Sequence, residues 1–143
     1  MTLQAEPARP TVTDVMAVAD FRAALRQFLR RSERIARHCG LTPQRYLLLL
    51  MIKGSPSGSE QSTVTELAER LQLAQSTVTE LVRRAEEVGL VERKQSQLDA
   101  RVAHLRLTPE GEARLMRSFT ELAKERDQVR DAFAHLESAL PES

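Results

Sequence analysis

The sequence predicts a mainly α-helical fold carrying one small β-hairpin. Three observations predict it. First, AQSTVTELVRRAEEVGLVERK, Ala74 to Lys94, has apolar residues at Val78, Leu81, Val82, Ala85 and Val88. That is the spacing of one helix face. Gly89 follows, where a residue without a Cβ readily takes the left-handed turn that ends a helix. Second, Thr63-Val64-Thr65-Glu66 reads as a capping box, in which the Thr63 hydroxyl accepts from the third helical N–H and Glu66 reaches back. A short helix follows, with Val64, Leu67, Ala68 and Leu71 on one side, and Gln72-Leu73-Ala74 has the length of a tight helix–helix turn. Third, Leu90 to Lys94 leads through a polar tip to Val102–Leu107, where Ala103, Leu105 and Leu107 alternate with Val102, His104 and Arg106. Alternation is strand spacing. Helix, turn, helix, hairpin is a winged helix-turn-helix.

The second helix of that unit carries the chemistry. Its outer face presents Ser76, Thr79, Glu80 and Arg83, with Gln75 and Thr77 beside them in the first turn. Short hydroxyl and amide side chains let a helix backbone approach a DNA major groove. They exchange hydrogen bonds with base edges and phosphates.

The run LAQSTVTELVRRAEEVGLVERK, then Asp99-Ala100-Arg101, then LRLTPEG (Leu105 to Gly111), resembles the multiple-antibiotic-resistance-regulator (MarR) family. The resemblance covers roughly Leu41 to Leu115 by motif and the flanking helices by layout. The D-x-R wing followed by L-x-L-T-x-x-G is specific in combination; the helix-turn-helix alone is not. The resemblance implies that Arg101 enters a minor groove and that Asp99 helps hold it. A guanidinium suits the negative potential of a narrow minor groove. Three positions depart from the pattern. Many members carry Ser or Asp where Ala74 stands, a basic residue where Glu80 stands, and a second Arg where Ala100 stands. The first removes a helix cap, which typically costs about 1 kcal/mol. The other two remove positive charge from the DNA side.

At 143 residues the chain has one domain's worth of sequence, with 41% apolar residues to build a core. A net charge of +1 is weak for a DNA binder, so placement matters more than the sum. Arg93, Lys94, Arg101 and Arg106 make the wing locally basic against Asp99. On the recognition helix Glu80, Glu86 and Glu87 offset Arg83 and Arg84. One cysteine excludes an intramolecular disulfide and fits a reducing compartment. No apolar run approaches a membrane span, and the first residues hold no apolar signal core. The expected location is the cytoplasm, with no membrane partner.

Taken in order, residues 1–11, with Pro7 and Pro10, read as a flexible leader. Residues 12–40 read as an N-terminal dimerisation helix, apolar at Val18, Phe21, Leu25, Phe28 and Ile35, with Ser32 interrupting. Arg22, Arg26, Arg30 and Arg34 form a second stripe, either a solvated face or a contact for phosphates or an anionic effector. Residues 41–108 are the DNA-binding lobe. It opens at Thr42-Pro43, a cap and a first-turn proline, and includes the flexible polar loop Gly54 to Ser62. Residues 109–143 hold a C-terminal dimerisation helix, capped by Thr108, and a tail. Leu115, Phe119, Leu122, Val129, Phe133, Leu136 and Leu140 follow a heptad stripe, with Arg126 as an interruption. A single helix of about 30 residues bearing that stripe exceeds what so small a domain can cover. The expectation is a homodimer built on Phe21, Leu25, Phe28, Leu115, Phe119, Leu122, Val129, Phe133 and Leu136.

These readings converge on a sequence-specific dimeric transcription regulator whose partner is double-stranded DNA. Gln75, Ser76, Thr77, Thr79, Arg83, Arg93, Lys94, Asp99 and Arg101 form the DNA-binding set. Two recognition helices related by a two-fold axis read a pseudo-palindrome with half-sites about one helical turn apart. By resemblance the action is repression, and a small anionic aromatic effector releases the DNA. His38, Arg45 and Tyr46 are then the effector candidates. One alternative is a winged-helix protein-interaction module, favoured by the weak net charge and Glu80. Another is redox sensing through Cys39, as in some relatives, although a helix C-terminus opposes a thiolate. The three histidines show no metal spacing with one another or with Cys39. No nucleophile motif or glycine-rich phosphate loop is present, so the sequence predicts neither an enzyme nor a cofactor.

Overall fold

The computed structural model describes residues 9–140. The elements run α1 (Val12–His38), α2 (Pro43–Lys53), α3 (Val64–Leu71), α4 (Gln75–Glu87), β1 (Val91–Gln95), β2 (Ala103–Leu107), α5 (Pro109–Glu121) and α6 (Ala123–Ala139). This is the expected mainly helical chain with one antiparallel hairpin, in which Val91 pairs with Leu107 and Gln95 with Ala103. The proline-containing leader lies mostly outside the described residues. Thr11, the residue before α1, caps the helix. The Asp14 N–H donates to the Thr11 hydroxyl at 3.2 Å, and the Thr11 N–H donates to the Asp14 carboxylate at 2.8 Å. That reciprocal pair satisfies two orphan donors at the helix start.

The backbone falls into two compact units, one of residues 9–31 and 123–140, the other Ser32–Leu122. In the second unit α2 is the central element and packs on α3, α4, α5 and β2. Leu48, Leu49 and Ile52 on α2 are fully buried, together with Leu67 of α3, Val78 and Val82 of α4, Leu105 of β2 and Leu115 of α5. Thr42 and Pro43 start α2 as expected, with the Thr42 hydroxyl accepting from the Arg45 N–H. Thr63 caps α3 by accepting from the Glu66 N–H at 3.2 Å, but Glu66 does not return the bond, so only half of the capping box forms.

Two segments differ from the sequence expectation. The Gly54–Ser62 loop is tied down. Ser62 exchanges backbone hydrogen bonds with Leu105 at 3.0 and 2.8 Å, which adds a bridge beside the hairpin. Arg70 donates to the carbonyls of Met51 and Gly54, and Lys53 pairs with Glu112 at 2.7 Å and Glu60 at 3.0 Å. Glu112 first and Glu60 next hold the Lys53 ammonium above its usual value. The single C-terminal helix is two helices, broken at Leu122. There the Leu122 N–H is shared between the Ser118 and Thr120 carbonyls. No proline or glycine marks the break. Its chemical signature is a pair of back-bonds one turn earlier, Ser118 Oγ to the Arg114 carbonyl at 3.0 Å and Thr120 Oγ1 to the Met116 carbonyl at 2.9 Å. Hydroxyls that back-bond in this way bend helices.

The break divides the heptad stripe. Leu115 and Leu122 are fully buried in the core of their own unit, so they present no surface to a second chain. Ser32, the interruption in the α1 stripe, is buried too. In the first unit, the Phe21 and Phe133 rings meet at 5.9 Å between centroids, tilted by 59°. Phe28 and Val129 line the same groove, with Arg126 and Arg130. Part of the stripe is therefore packed within one chain. What remains is open: Val12, Val15, Met16, Val18 and Leu29 on α1 are exposed, and α6 has no buried residue.

The hairpin joins α5 through a backbone contact that explains the L-x-L-T-x-x-G run. The Thr108 N–H donates to the Leu90 carbonyl at 3.0 Å, and its hydroxyl donates to the Gly89 carbonyl at 2.6 Å while accepting from the Gly111 N–H at 3.1 Å. A Cβ on Gly111 would lie 2.1 Å from the Leu90 carbonyl oxygen. Gly111→Ala should therefore lower unfolding free energy by about 1–3 kcal/mol, the usual range for overpacking. Urea denaturation checks this; an unchanged midpoint would show that the contact is relieved at no cost.

Candidate nucleic-acid interface

Helix α4 buries Val78, Val82 and Ala85 and leaves the other side in solvent. Of the expected stripe, Leu81 is only half-buried and Val88 falls outside the helix. Val88 is the C-cap and is half-exposed, and Gly89 at φ +75 makes the left-handed turn. At 3.6 residues per turn Glu80 is central on the face opposite that buried stripe, with Ser76, Thr77, Arg83, Arg84 and Glu87 around it. Gln75, Ser76, Thr77 and Thr79 are all exposed. The Gln75 amide donates to the Thr65 hydroxyl at 3.4 Å and so bridges α3 and α4 across their turn. Ala74 takes the extended cap backbone, φ −64 and ψ 147, but supplies no side-chain bond.

The cations of α4 are engaged by its own acids. Arg83 presents two donors to Glu80, Nε at 2.9 Å and Nη2 at 2.6 Å, and its third arm is held by Glu87. Arg84 Nε reaches Glu80 at 3.1 Å. The Arg83 hydrogen bonds first, and those of Arg84 next, pull the Glu80 carboxyl down from 4.5 to about 2. Because the folded value is depressed, these pairs contribute above the ordinary carboxylate value. They are lost only as pH falls toward about 2. They are intact at neutral pH.

The wing is braced by short polar loops. Ser96 Oγ accepts from the N–H groups of Leu98 and Asp99 at 3.2 and 3.3 Å. The Asp99 carboxylate accepts from the Arg101 N–H at 3.0 Å and lies 3.5 Å from Arg101 Nε. The Arg101 side chain is 93% exposed, so it projects from the tip with only that one acid beside it. Ser96 was not among the residues singled out from the sequence. Its signal was the Ser-x-x-Asp spacing, in which a hydroxyl and a carboxylate take up successive turn N–H groups. On the strands, Arg93 pairs with Glu86 of α4 at 2.7 Å and Arg106 with Glu92 at 2.6 Å. Lys94 is exposed. The first of these pairs ties the wing to the recognition helix.

Residues 40–102 match the model of the MarR family. Over that stretch the chain is similar to the MarR family. It is similar to an uncharacterised HTH-type transcriptional regulator, YsmB, of Bacillus subtilis (strain 168), with 38% identity over 71 residues covering 50% of this chain and 47% of that one. The matched stretch thus spans about half of that relative's length. Among solved structures, a MarR family protein from Bacillus stearothermophilus aligns with a TM-score of 0.69 and 27% identity, over 92% of this chain and 84% of that chain. Sco3205, a MarR family transcriptional regulator from Streptomyces coelicolor solved in complex with DNA, aligns with a TM-score of 0.61 and 26% identity, over 90% and 78% of the respective chains.

The other candidate residues are placed as follows. His38 is exposed at the end of α1, Arg45 is half-buried in the first turn of α2, and Tyr46 is buried behind it. Of the three effector candidates, only His38 and Arg45 therefore offer surface. Cys39 is buried just beyond α1, its N–H bonded to the Ile35 and Ala36 carbonyls, which places the thiol at a helix C-terminus and out of solvent. Among the described residues no group of three His, Cys, Asp or Glu side chains could hold a metal ion, and no helix is long and apolar enough to cross a membrane.

The missing cap on α4 gives a direct test. Ala74 already has cap geometry, so Ala74→Ser should add an acceptor for the first-turn N–H groups and raise stability by about 1 kcal/mol. Thermal unfolding reads this as a higher Tm. A lower Tm would mean that those N–H groups are otherwise satisfied.

Proposed function

We propose that the chain is a DNA-binding transcription regulator that acts as a homodimeric repressor on a pseudo-palindromic operator. The observation that carries the reading is the wing tip. Arg101 projects almost fully into solvent from a loop that Ser96 and Asp99 hold in shape. A pre-ordered guanidinium at a hairpin tip fits a narrow minor groove, whose negative potential attracts arginine. Helix α4 supplies the matching major-groove element. Gln75, Ser76, Thr77 and Thr79 meet base edges and nearby phosphates, and Arg83, Arg93 and Lys94 supply backbone contacts.

A second copy is needed for the first unit. Exposed Val12, Val15, Met16, Val18 and Leu29, with half-exposed Phe133, leave an apolar face on α1 and α6 that water covers poorly. Pro10, Val15, Val18, Ala19 and Leu140 line a groove on that unit whose accessible lining is apolar. Burying those side chains in a two-fold pair is favourable, at about 1.5–3 kcal/mol for each large side chain fully covered. The pair also sets two recognition helices one helical turn apart on DNA. Phe21, Leu25, Phe28, Phe119, Val129, Phe133 and Leu136 remain the dimerisation candidates. Repression, by covering a promoter, and release by a small anionic aromatic effector near His38 and Arg45 follow the family pattern.

The test is a fluorescence-anisotropy titration of DNA from upstream of the protein's own gene, with scrambled DNA as competitor. Specific binding should resist the scrambled duplex and weaken with salt as counterions return. Arg101→Ala should reduce operator affinity by about 1–3 kcal/mol while leaving the dimer intact in sedimentation. Dissociation of that variant into monomers would sink the wing assignment. Conversely, Val15→Asp with Phe133→Asp should give monomers that bind a half-site weakly. A variant that stays dimeric would place the interface elsewhere.

A further inference from the structure

The recognition helix has a feature that DNA contact alone does not explain. Its most central exposed residue is an acid. Glu80 lies opposite the buried Val78–Val82–Ala85 stripe, where a helix in the major groove comes nearest the bases. Its carboxylate is engaged by both neighbouring arginines, Arg83 through two arms and Arg84 through Nε at 3.1 Å. Glu87 takes a third arm of Arg83. Across the whole chain 21 basic residues meet 20 acidic ones, a net charge of only +1. An unoccupied arginine on such a helix would bind any phosphate within reach, whatever the sequence.

We propose that Glu80 is a specificity-determining residue of the recognition helix, withholding Arg83 and Arg84 from phosphates and yielding them where a base-edge amino group takes its carboxylate. This rests on the DNA-binding reading above. The chemistry selects the base. A carboxylate only accepts hydrogen bonds, and the major-groove edge donates through the amino groups of cytosine and adenine, with cytosine the usual partner of a glutamate. Where guanine or thymine stands at that position, Glu80 faces carbonyl or N7 acceptors that repel it. The ion pairs then persist and phosphate binding must break them. On a cognate site the amino donor replaces the arginines as partner of Glu80, and the guanidinium groups swing to the backbone. Both states keep the carboxylate satisfied, so discrimination comes from the cost of separating the pairs at wrong sites.

The experiment compares the full-length chain with Glu80→Gln and Glu80→Ala on a scrambled duplex and on duplexes selected from a random pool, across a salt series. Both variants should bind the scrambled duplex about three- to tenfold more tightly, the worth of two exposed ion pairs. Their salt dependence should steepen by about 1 to 2 log units per log unit of salt, since each added phosphate contact contributes about 0.9. Affinity for wild-type-selected duplexes should change less, so the specificity ratio falls. The wild-type pool should hold a cytosine at one position in each half-site. Glu80→Gln should shift that position toward adenine, which glutamine reads with two bonds, and Glu80→Ala should lose the preference. Placing Arg83→Gln and Arg84→Gln in the Glu80→Gln background should cancel the gain on scrambled DNA. An unchanged salt slope, a gain that survives loss of the arginines, or identical selected sites would each overturn the proposal. Wild-type protein that binds no duplex in a salt-dependent way would instead overturn the DNA-binding reading, before any variant is compared.

Discussion

The junction between the hairpin and α5 fixes the geometry of everything on the proposed DNA face. At one point the chain must end α4, start β1, finish β2 and open α5. It does so with three hydrogen bonds to Thr108 and a backbone approach that only glycine permits at position 111. The Leu90 carbonyl is the shared element. It accepts from the Thr108 N–H and closes against Gly111, while its own N–H is bonded to the Ala85 carbonyl at the end of α4. Helix α4, wing and α5 are therefore registered to one residue, Leu90. Small residues there act as spacers, and the hydroxyl acts as both donor and acceptor, which neither alanine nor valine could do.

Rigidity at that junction is carried outward by surface ion pairs of ordinary individual strength. Arg93 to Glu86 links β1 to α4, Arg106 to Glu92 links the two strands, and Asp99 braces Arg101. Each exposed pair is worth little in stability, commonly below about 1 kcal/mol. Their effect is on orientation: they narrow the conformations from which the wing and helix would meet DNA, which lowers the entropy lost on binding. The same pairs reduce the number of uncommitted cations: Arg93 and Arg106 are paired, and a wing that is basic by sequence keeps Lys94 and the exposed Arg101 beside Asp99.

The local chemistry of the winged helix was legible because each signal was short-range. Thr42-Pro43, Thr63, Thr108-Pro109 and Gly89 state where elements begin or end, and alternation at Ala103, Leu105 and Leu107 states the strand. The division of the C-terminal helix was not legible from periodicity. Leu115 and Leu122 keep heptad spacing with Phe133 and Leu136, yet the first two belong to the chain's own core. A periodic stripe records that a face is apolar, and it does not record which body covers it. The clue lay in Ser118 and Thr120, whose back-bonds precede the break. At the candidate site the exposed polar residues were readable from one helix face. The bracing role of Ser96 and the engagement of Arg83 by two acids depend on rotamers and loop closure, which spacing only permits.

A nearly neutral protein that binds DNA must solve a different problem from a basic one. A strongly basic surface gains affinity everywhere and then needs base contacts to raise one site above the rest. Here the carboxylates of Glu80, Glu86 and Glu87 cancel cations on and beside the recognition helix, so little sequence-independent attraction remains. On the proposed DNA-binding reading, binding then depends on contacts formed together: wing arginine in the minor groove, hydroxyls in the major groove, and a second copy supplying the same set. Because Glu80 keeps its charge down to about pH 2, this cancellation holds throughout the physiological range and gives no pH switch. The lever that moves the balance is ionic strength, which weakens attraction to phosphates and the ion pairs on the helix alike. Their opposing effects make salt dependence the measurement in which the two designs separate.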